Sequence, residues 1–149
     1  MKEYYSYDDF KRDTRELIKD VRGIAPDAIV GIARGGLTLS HAVAEGLNIR
    51  EVQTIRTELY DANCKREQIE LFGSCNFQNS KKVLVLDDIA DSGETLQSIM
   101  HYLESEFHDI KFISATLFYK KTSAYEPHFW VNEAKNWIEF FWEKDFIQE

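Results

Sequence analysis

The sequence predicts an α/β domain with a mainly parallel sheet that helices cover on both faces. Three short apolar runs, at residues 28–32, 82–86 and 112–118, alternate with segments of helical periodicity. Short continuous runs rich in β-branched residues are typical of strands buried on both faces, and their alternation with helices indicates βαβ units. The length of 149 residues fits one domain with a single core.

The first helix is predicted over residues 6–23. Ser6 can cap it, and apolar side chains recur at helical spacing along one of its faces. Gly23 and then Pro26 end it, because glycine favours helix ends and proline cannot continue a helix.

The strand at 28–32 leads into a turn at residues 34–36, which contains two adjacent glycines. A second helix is predicted over residues 37–45 and is closed by Gly46. A second strand is predicted over residues 52–57.

Residues 58–80 are polar, weakly periodic and contain both cysteines of the chain, Cys64 and Cys75. A loop of this length inside a compact domain is usually functional or mobile. We therefore expect a long loop here, part of which, residues 68–72, can form a strand of a flap.

The clearest strand covers residues 82–86 and is followed at once by two acids, Asp87 and Asp88. A helix is predicted from Glu94 to about residue 106, and the next strand over residues 112–118. Because side chains alternate along a strand, we expect the two acids to leave in different directions.

The composition changes after residue 120. Residues 125–146 hold all three tryptophans and a dense set of other aromatic side chains. We expect one domain over residues 1–149, with a core over about 1–120 and an aromatic hood over about 121–149.

Charge and composition exclude several classes of function. The net charge of −8 argues against a general nucleic-acid binder, because phosphate backbones are bound mainly by Lys and Arg. Two cysteines cannot form a disulfide framework or a four-sulfur zinc site. No secretory signal or transmembrane run is visible, so we expect a cytoplasmic protein without an integral membrane segment.

The segment around the two acids carries the chemistry. Ligands of open parallel sheets bind beyond the carboxyl ends of the strands, where Asp87 and Asp88 stand. Adjacent carboxylates suit a ribose diol or a hydrated divalent cation. Ser92, Gly93 and Thr95 then lead into a helix whose free N–H groups favour an anion. The residues alone leave open that Asp91 or Ser92 only caps this helix.

Residues 83–95, VLVLDDIADSGET, resemble the phosphoribosyl pyrophosphate (PRPP) binding motif of the type I phosphoribosyltransferases. That motif has apolar residues, two acids, and an acid–Ser/Thr–Gly–x–Thr loop. Residues 29–36, IVGIARGG, are similar to the pyrophosphate loop of the same family. Residues 115–120 and 136–139 resemble purine-binding elements of the xanthine-guanine phosphoribosyltransferases, so the resemblance covers nearly the whole chain and implies the type I phosphoribosyltransferase fold.

The resemblance implies a binding role for each part of these motifs. Asp87 and Asp88 would hold the ribose hydroxyls directly or through Mg²⁺, with Asp88 as the metal ligand. Asp91 would lie near purine N7 as a general acid or base. The 5′-phosphate would lie in the loop formed by Ala90, Asp91, Ser92, Gly93, Glu94 and Thr95.

The other two motifs are implied to bind pyrophosphate and the base. Arg34 and the N–H groups of Gly35 and Gly36 would bind pyrophosphate, in a turn that often contains a non-proline cis peptide in this family. The base would meet Lys120, Trp137 and Ile138: the lysine would donate to O6, the indole would stack, and the backbone of the isoleucine would read the polar edge.

The implied activity is transfer of ribose 5-phosphate from PRPP to guanine, xanthine or hypoxanthine, with release of pyrophosphate. Such an enzyme uses Mg²⁺ and works as a homodimer or homotetramer. Each site residue also has a plainer interpretation: Arg34 and Lys120 as surface cations, and Trp137 as core. The alternative function is a non-catalytic PRPP- or nucleotide-sensing regulator with the same fold.

Overall fold

The structure, a computed structural model, describes residues 1–61 and 67–148. These residues form eight strands and four helices. In chain order they are β1 Lys2–Tyr5, α1 Tyr7–Arg22, β2 Ala28–Ile32, α2 Leu37–Leu47, β3 Val52–Asp61, β4 Glu67–Phe72, β5 Lys82–Ala90, α3 Glu94–Glu106, β6 Lys111–Tyr119, β7 Phe129–Glu133, β8 Trp137–Phe140 and α4 Phe141–Lys144. Within the described ranges, no helix has the length and apolarity needed to cross a membrane.

The central sheet has six strands in the order β4-β3-β2-β5-β6-β7. The pairs β3–β2, β2–β5, β5–β6 and β6–β7 are all parallel, and only β4 runs antiparallel, beside β3. This arrangement confirms the predicted mainly parallel sheet. It also brings the carboxyl ends of β2, β5 and β6 to the same edge.

Both faces of the sheet are buried, as the continuous apolar runs predict. Leu84 and Leu86 of β5 belong to an apolar cluster that includes buried residues of α1 and α2. Val83 and Val85 belong to a second cluster, which includes the apolar face of α3. One strand therefore contributes to two cores, because neighbouring side chains point to opposite faces.

The first helix begins where the sequence predicts. The Ser6 hydroxyl accepts from the Asp9 amide at 3.1 Å, and the Asp9 carboxylate accepts from the Ser6 amide at 3.2 Å, which is a capping box. The predicted end of α2 is wrong by two residues. Gly46 lies inside this helix against Ile18, and Asn48, in the left-handed conformation, ends it.

The expected long loop at residues 58–80 is wrong for residues 58–61 and 67–72, which are strand. Strand β3 continues to Asp61 and pairs antiparallel with β4, which confirms the flap strand predicted at 68–72. The guanidinium of Arg56 lies 4.2 Å from the centre of the Phe72 ring, so the base of this hairpin carries a cation–π contact. Cys64 lies outside the described residues.

Two strands near the C-terminal end are absent from the sequence prediction. β7 adds to the edge of the central sheet, beside β6, and β8 pairs in parallel with β1 in a separate two-stranded sheet. The backbone after residue 120 is thus joined to the core on two sides. The division into a core and a hood stays a prediction.

Aromatic packing and one buried acid join these strands to α1. The Tyr5 ring meets Phe118 and Phe140 edge-on at centroid distances of 5.0 and 5.6 Å. The buried Asp13 carboxylate accepts hydrogen bonds from the Tyr5 hydroxyl at 2.7 Å and from the Asn132 amide at 2.8 Å. Asp13 therefore holds β1 and β7 against α1.

We expect Asp13→Ala to destabilise the fold. It leaves the buried Tyr5 hydroxyl and Asn132 amide without this acceptor, which costs about 2–4 kcal/mol. Urea unfolding measures the loss. Asp20→Ala, at an exposed position of the same helix, is the matched control and should change stability by less than about 0.5 kcal/mol. Equal effects of the two substitutions would contradict this role of Asp13.

Candidate active site

A cleft of about 1210 Å³ opens beyond the carboxyl ends of β2, β5 and β6, and β8 and α4 line its other side. This is the edge at which open parallel sheets bind ligands. Residues from all three predicted motifs line it, namely Arg34, Gly35, Asp87, Asp88, Asp91, Thr95, Lys120, Trp137 and Ile138. The structure therefore brings together residues that lie up to about a hundred positions apart in the sequence.

The two acids lie within β5 and not beyond it, because this strand continues to Ala90. Strict alternation would place Ile89 with Val85, yet Ile89 packs against the cluster of α1 and α2, and Ala90 belongs to the cluster of α3. The alternation of side chains thus breaks at Asp87 and Asp88. The expectation that the two acids leave the strand in different directions assumed unbroken alternation, whereas in the structure both acids line the same cleft.

Backbone amides of the strand bind these carboxylates. The Asp88 amide donates to Asp87 Oδ1 at 2.9 Å, and the Ile89 amide donates to Asp88 Oδ1 at 2.8 Å. Asp88 is only 8% exposed. Gly35 packs directly against its carboxylate, since an added Cβ at that position would lie within 3.0 Å of three Asp88 atoms.

Burial raises the pKa of both carboxyl groups, because the charged form loses contact with water. It raises the pKa of Asp88 to about 6, opposed by hydrogen bonding with Asp87 and assisted by the charge of Glu143. Burial and the neighbouring Asp88 charge raise the pKa of Asp87 well above its usual value. A ligand that brings positive charge or hydroxyl donors to this pair removes part of that cost.

The pair is chemically suited to Mg²⁺, which prefers oxygen ligands and keeps several waters. Within residues 1–61 and 67–148 no group of three or more metal-ligating side chains forms. A magnesium ion held by this pair would therefore take its other ligands from substrate and water.

The turn after β2 has a cis peptide bond between Ala33 and Arg34, as the family resemblance implies. The exposed Arg34 lines the cleft together with Gly35. Gly36 is buried, and its amide donates to the Ile32 carbonyl at 2.8 Å. In this conformation the Gly36 N–H is therefore already used, so Arg34 and Gly35 are the parts of the turn that face a ligand.

The helix α3 begins at Glu94 without a side-chain cap, and Gly93 before it adopts φ +83°. The Ser92 hydroxyl accepts from the Glu94 amide at 3.3 Å, and Asp91 does not cap the helix. Thr95 lines the cleft, whereas the Glu94 side of this turn is exposed. The uncapped helix start leaves room for an anion.

Two neighbouring lysines at the end of β6 point to different partners. Lys120 Nζ lies 3.5 Å from Asp91 Oδ1, inside the cleft. Lys121 Nζ lies 3.2 Å from Glu133 Oε1, and Lys121 does not line the cleft. Of the two, Lys120 is therefore the candidate for contact with a ligand.

Trp137 is 66% exposed on the cleft wall, so it is not core. Its neighbour Ile138 is buried and also lines the cleft. Sequence reasoning missed further lining residues from the N-terminal end and from α4 onward, which include Met1, Trp142, Glu143, Phe146 and Ile147. No motif marks them, and the β1–β8 pairing brings the N-terminal end and the segment after β8 together.

Fold and site together define an α/β protein with a mainly parallel sheet, an acid pair at its edge and a helix start without a side-chain cap beside it. The profile of one family, the phosphoribosyl transferase domain, matches residues 1–145. The chain belongs to this family.

Solved structures of purine phosphoribosyltransferases share the fold. The xanthine-guanine-hypoxanthine phosphoribosyltransferase of Helicobacter pylori is 36% identical, with a TM-score of 0.88 over 97% of this chain and 96% of that one. The purine phosphoribosyltransferase of Pyrococcus horikoshii is 25% identical, with a TM-score of 0.84 over 99% and 98% of the two chains. These similarities confirm the predicted fold.

Similarity extends to curated sequences. The xanthine-guanine phosphoribosyltransferase of Cereibacter sphaeroides is 35% identical over 108 residues, which cover 64% of this chain and 62% of that protein. The enzyme of the same name from a Ruegeria species is 32% identical over 108 residues. The matches thus span somewhat less than two thirds of these relatives.

We expect Asp88→Asn to stabilise the protein in metal-free buffer at pH 7.5. The native pKa of Asp88, about 6, exceeds the ordinary value of 3.8, so its charge costs stability as the pH rises through that window. Removing the charge should gain about 1–3 kcal/mol at pH 7.5. Near pH 3.5 the Asp88 side chain of the folded wild-type protein is protonated and, like asparagine, uncharged, so the gain should vanish there.

Thermal unfolding of both proteins across pH 3.5–8 measures this difference. Asp91→Asn, at an exposed carboxylate of the same cleft, is the control and should show little gain. A loss of stability in the Asp88 variant at pH 7.5, or a gain independent of pH, would contradict burial as the cause of the raised pKa.

Proposed function

We propose that this protein is a purine phosphoribosyltransferase, which transfers ribose 5-phosphate from PRPP to guanine, xanthine or hypoxanthine and releases pyrophosphate. The observation that supports it most is the convergence of the acid pair, the uncapped start of α3, Arg34, Lys120 and Trp137 on one cleft. Each of these groups suits a different part of PRPP or of a purine. The relatives named above carry the same activity in their names.

In this proposal PRPP lies along the edge of the sheet. Its ribose diol meets Asp87 and Asp88, and its 5′-phosphate lies at the start of α3, near Thr95. Arg34 and the Gly35 backbone meet the pyrophosphate and stabilise the negative charge that grows on it as it leaves. Mg²⁺, held by the acid pair and the substrate oxygens, would add charge stabilisation to the leaving group.

The base occupies the other half of the cleft. Lys120 Nζ and Asp91 Oδ1, which lie 3.5 Å apart, would separate when the base binds between them. The lysine would then donate to purine O6, and the aspartate would accept the proton at N7. A ring nitrogen then bonds to the anomeric carbon while the bond from that carbon to pyrophosphate breaks, and the ring proton passes to Asp91. The exposed Trp137 stacks on the ring.

The β3–β4 hairpin stands beside this cleft, since Thr57 of β3 lines it. We propose that the segment at 58–80 closes over bound substrates and excludes water, because hydrolysis competes with transfer. Closure would add the positive charges of Lys65 and Arg66, two residues that lie outside the described ranges. Within those ranges, no observation favours the non-catalytic sensor.

An assay of purine-dependent pyrophosphate release tests the proposal. The protein is mixed with PRPP and Mg²⁺ and with guanine, xanthine, hypoxanthine, adenine or orotate in turn. We expect release with one or more of the first three bases and little with the last two. If PRPP binds but no base causes pyrophosphate release, the proposed transferase activity is wrong and the non-catalytic regulator is favoured.

Trp137→Ala should weaken base binding selectively. Loss of stacking is expected to raise the KM for the purine by about tenfold and to change the KM for PRPP by less than about twofold. Trp137→Phe, which keeps an aromatic face, should recover most of the affinity. Equal changes in both KM values would contradict stacking by this residue.

Gly35→Ala should impair PRPP use without unfolding the protein. The new methyl group would displace the Asp88 carboxylate from its present position. We expect kcat/KM for PRPP to fall by about a hundredfold and stability to change by less than about 1 kcal/mol. Gly23→Ala is the matched control, since nothing lies within 4 Å of its added methyl. An unaffected kcat/KM would show that the contact does not position Asp88.

A further inference from the structure

The turn after β6 lies directly against the loop before α3. The Lys120 amide donates to the Ala90 carbonyl at 3.0 Å, and the Ala124 amide donates to the Ser92 carbonyl at 2.7 Å. Residues 120–124 therefore lie alongside the loop to which the proposed function assigns the 5′-phosphate. The two segments are bonded to each other through their main chains, although about 30 residues separate them in the sequence.

Gly93 is the point of closest approach between these segments. A Cβ at this position would lie 2.7 Å from the Tyr125 nitrogen and 2.9 Å from the Ala124 nitrogen, and closer still to the Ser123 hydroxyl. Gly93 also adopts φ +83°, a conformation that other residues rarely take. Glycine is thus required here both by its backbone conformation and by the segment packed against it.

The Ser123 hydroxyl fixes the shape of the facing turn. It donates to the Tyr125 carbonyl at 2.9 Å and accepts from the Tyr125 amide at 3.3 Å, while the Ser123 amide donates to the Lys120 carbonyl at 2.8 Å. Local bonds of this kind hold turns in one conformation. The same hydroxyl oxygen is the atom that would lie nearest to a Cβ at position 93.

The turn is anchored in the core beneath it. The Tyr125 hydroxyl lies 3.0 Å from Ser114 Oγ in β6, and Ser114 is fully buried. The His128 ring accepts from the Ser114 amide at 3.0 Å and lies 2.9 Å from its hydroxyl. Hydrogen bonds thus link the buried strand to Tyr125 and Tyr125 to Ser123, and the Ala124 amide between them donates to the Ser92 carbonyl.

We propose that residues 123–125 form a positioning element for the phosphate loop, with Ser123 as its central positioning residue. The element holds Ser92 and Gly93 in the conformation that leaves the start of α3 open to the 5′-phosphate. The Ser123 amide also donates to the Lys120 carbonyl, so the element sets the distance between the phosphate end and the base end of the cleft. This inference rests on the proposed function.

A merely structural turn would affect stability alone, whereas a positioning element affects phosphate binding first. Ser123→Ala removes the hydroxyl that holds the turn and leaves the Cβ in place. We expect the KM for PRPP and the Kd for ribose 5-phosphate to rise about tenfold. At saturating PRPP, the KM for the purine should change by less than about twofold.

Two further variants make the test specific. Tyr125→Phe removes the hydroxyl that anchors the turn and should shift the same two constants in the same direction, by about threefold. Thr122→Ala alters an exposed neighbour in the same turn and should leave kcat, both KM values and the Kd unchanged. Thermal unfolding is measured on all of the proteins.

The outcomes separate this inference from the proposed function. If the wild-type protein turns over and Ser123→Ala changes only thermal stability, or raises both KM values equally, the positioning element is overturned. If the wild-type protein binds ribose 5-phosphate without any transfer, the proposed enzyme fails and the Kd comparison still decides the inference. If it does not bind ribose 5-phosphate, both are overturned.

Discussion

The site depends on two adjacent buried carboxylates at the edge of a parallel sheet. Asp87 and Asp88 stand where the alternation of β5 breaks, so two neighbouring residues contribute to one cleft. Burial raises the pKa of both, and backbone amides of the strand itself compensate only part of the cost of their charge. The charged pair therefore lowers the free energy of unfolding of the ligand-free protein. A cation or a diol that binds the pair relieves this cost, and the relief adds to the affinity for that ligand.

The rest of the fold places the partners of these acids. The turn after β2 brings Gly35 against Asp88, and the turn after β6 packs against Gly93 before α3. The pairing of β8 with β1 holds Trp137 at the opposite wall. At the first two of these contacts there is no room for a Cβ, because it would clash with the Asp88 carboxylate at Gly35 and with residues 123–125 at Gly93. Glycine occupies both positions.

The sequence predicted the positions of the buried strands and of α3 well, because the strands are short apolar runs and α3 has a strong helical period. It placed the ends of β3 and β5 too early, since these strands continue to Asp61 and Ala90. It predicted the cleft residues through motif resemblance, and the structure brings nine of those fourteen residues to one cavity wall. It missed β1, β7 and β8, which are short and half-exposed, so they lack a continuous apolar run. It assigned Lys120 to the base through the resemblance alone, since the different partners of Lys120 and Lys121, namely Asp91 and Glu133, arise only from tertiary packing.

The most direct test of this account is the titration of the two aspartate carboxyl carbons, followed by ¹³C NMR and assigned with single Asp→Asn variants. In the ligand-free protein, the account predicts that Asp88 titrates near pH 6 and Asp87 well above the usual aspartate range. Addition of Mg²⁺ and PRPP should move both titrations to lower pH. Ordinary titration of both groups near pH 4 without ligand, or no change on binding, would contradict it.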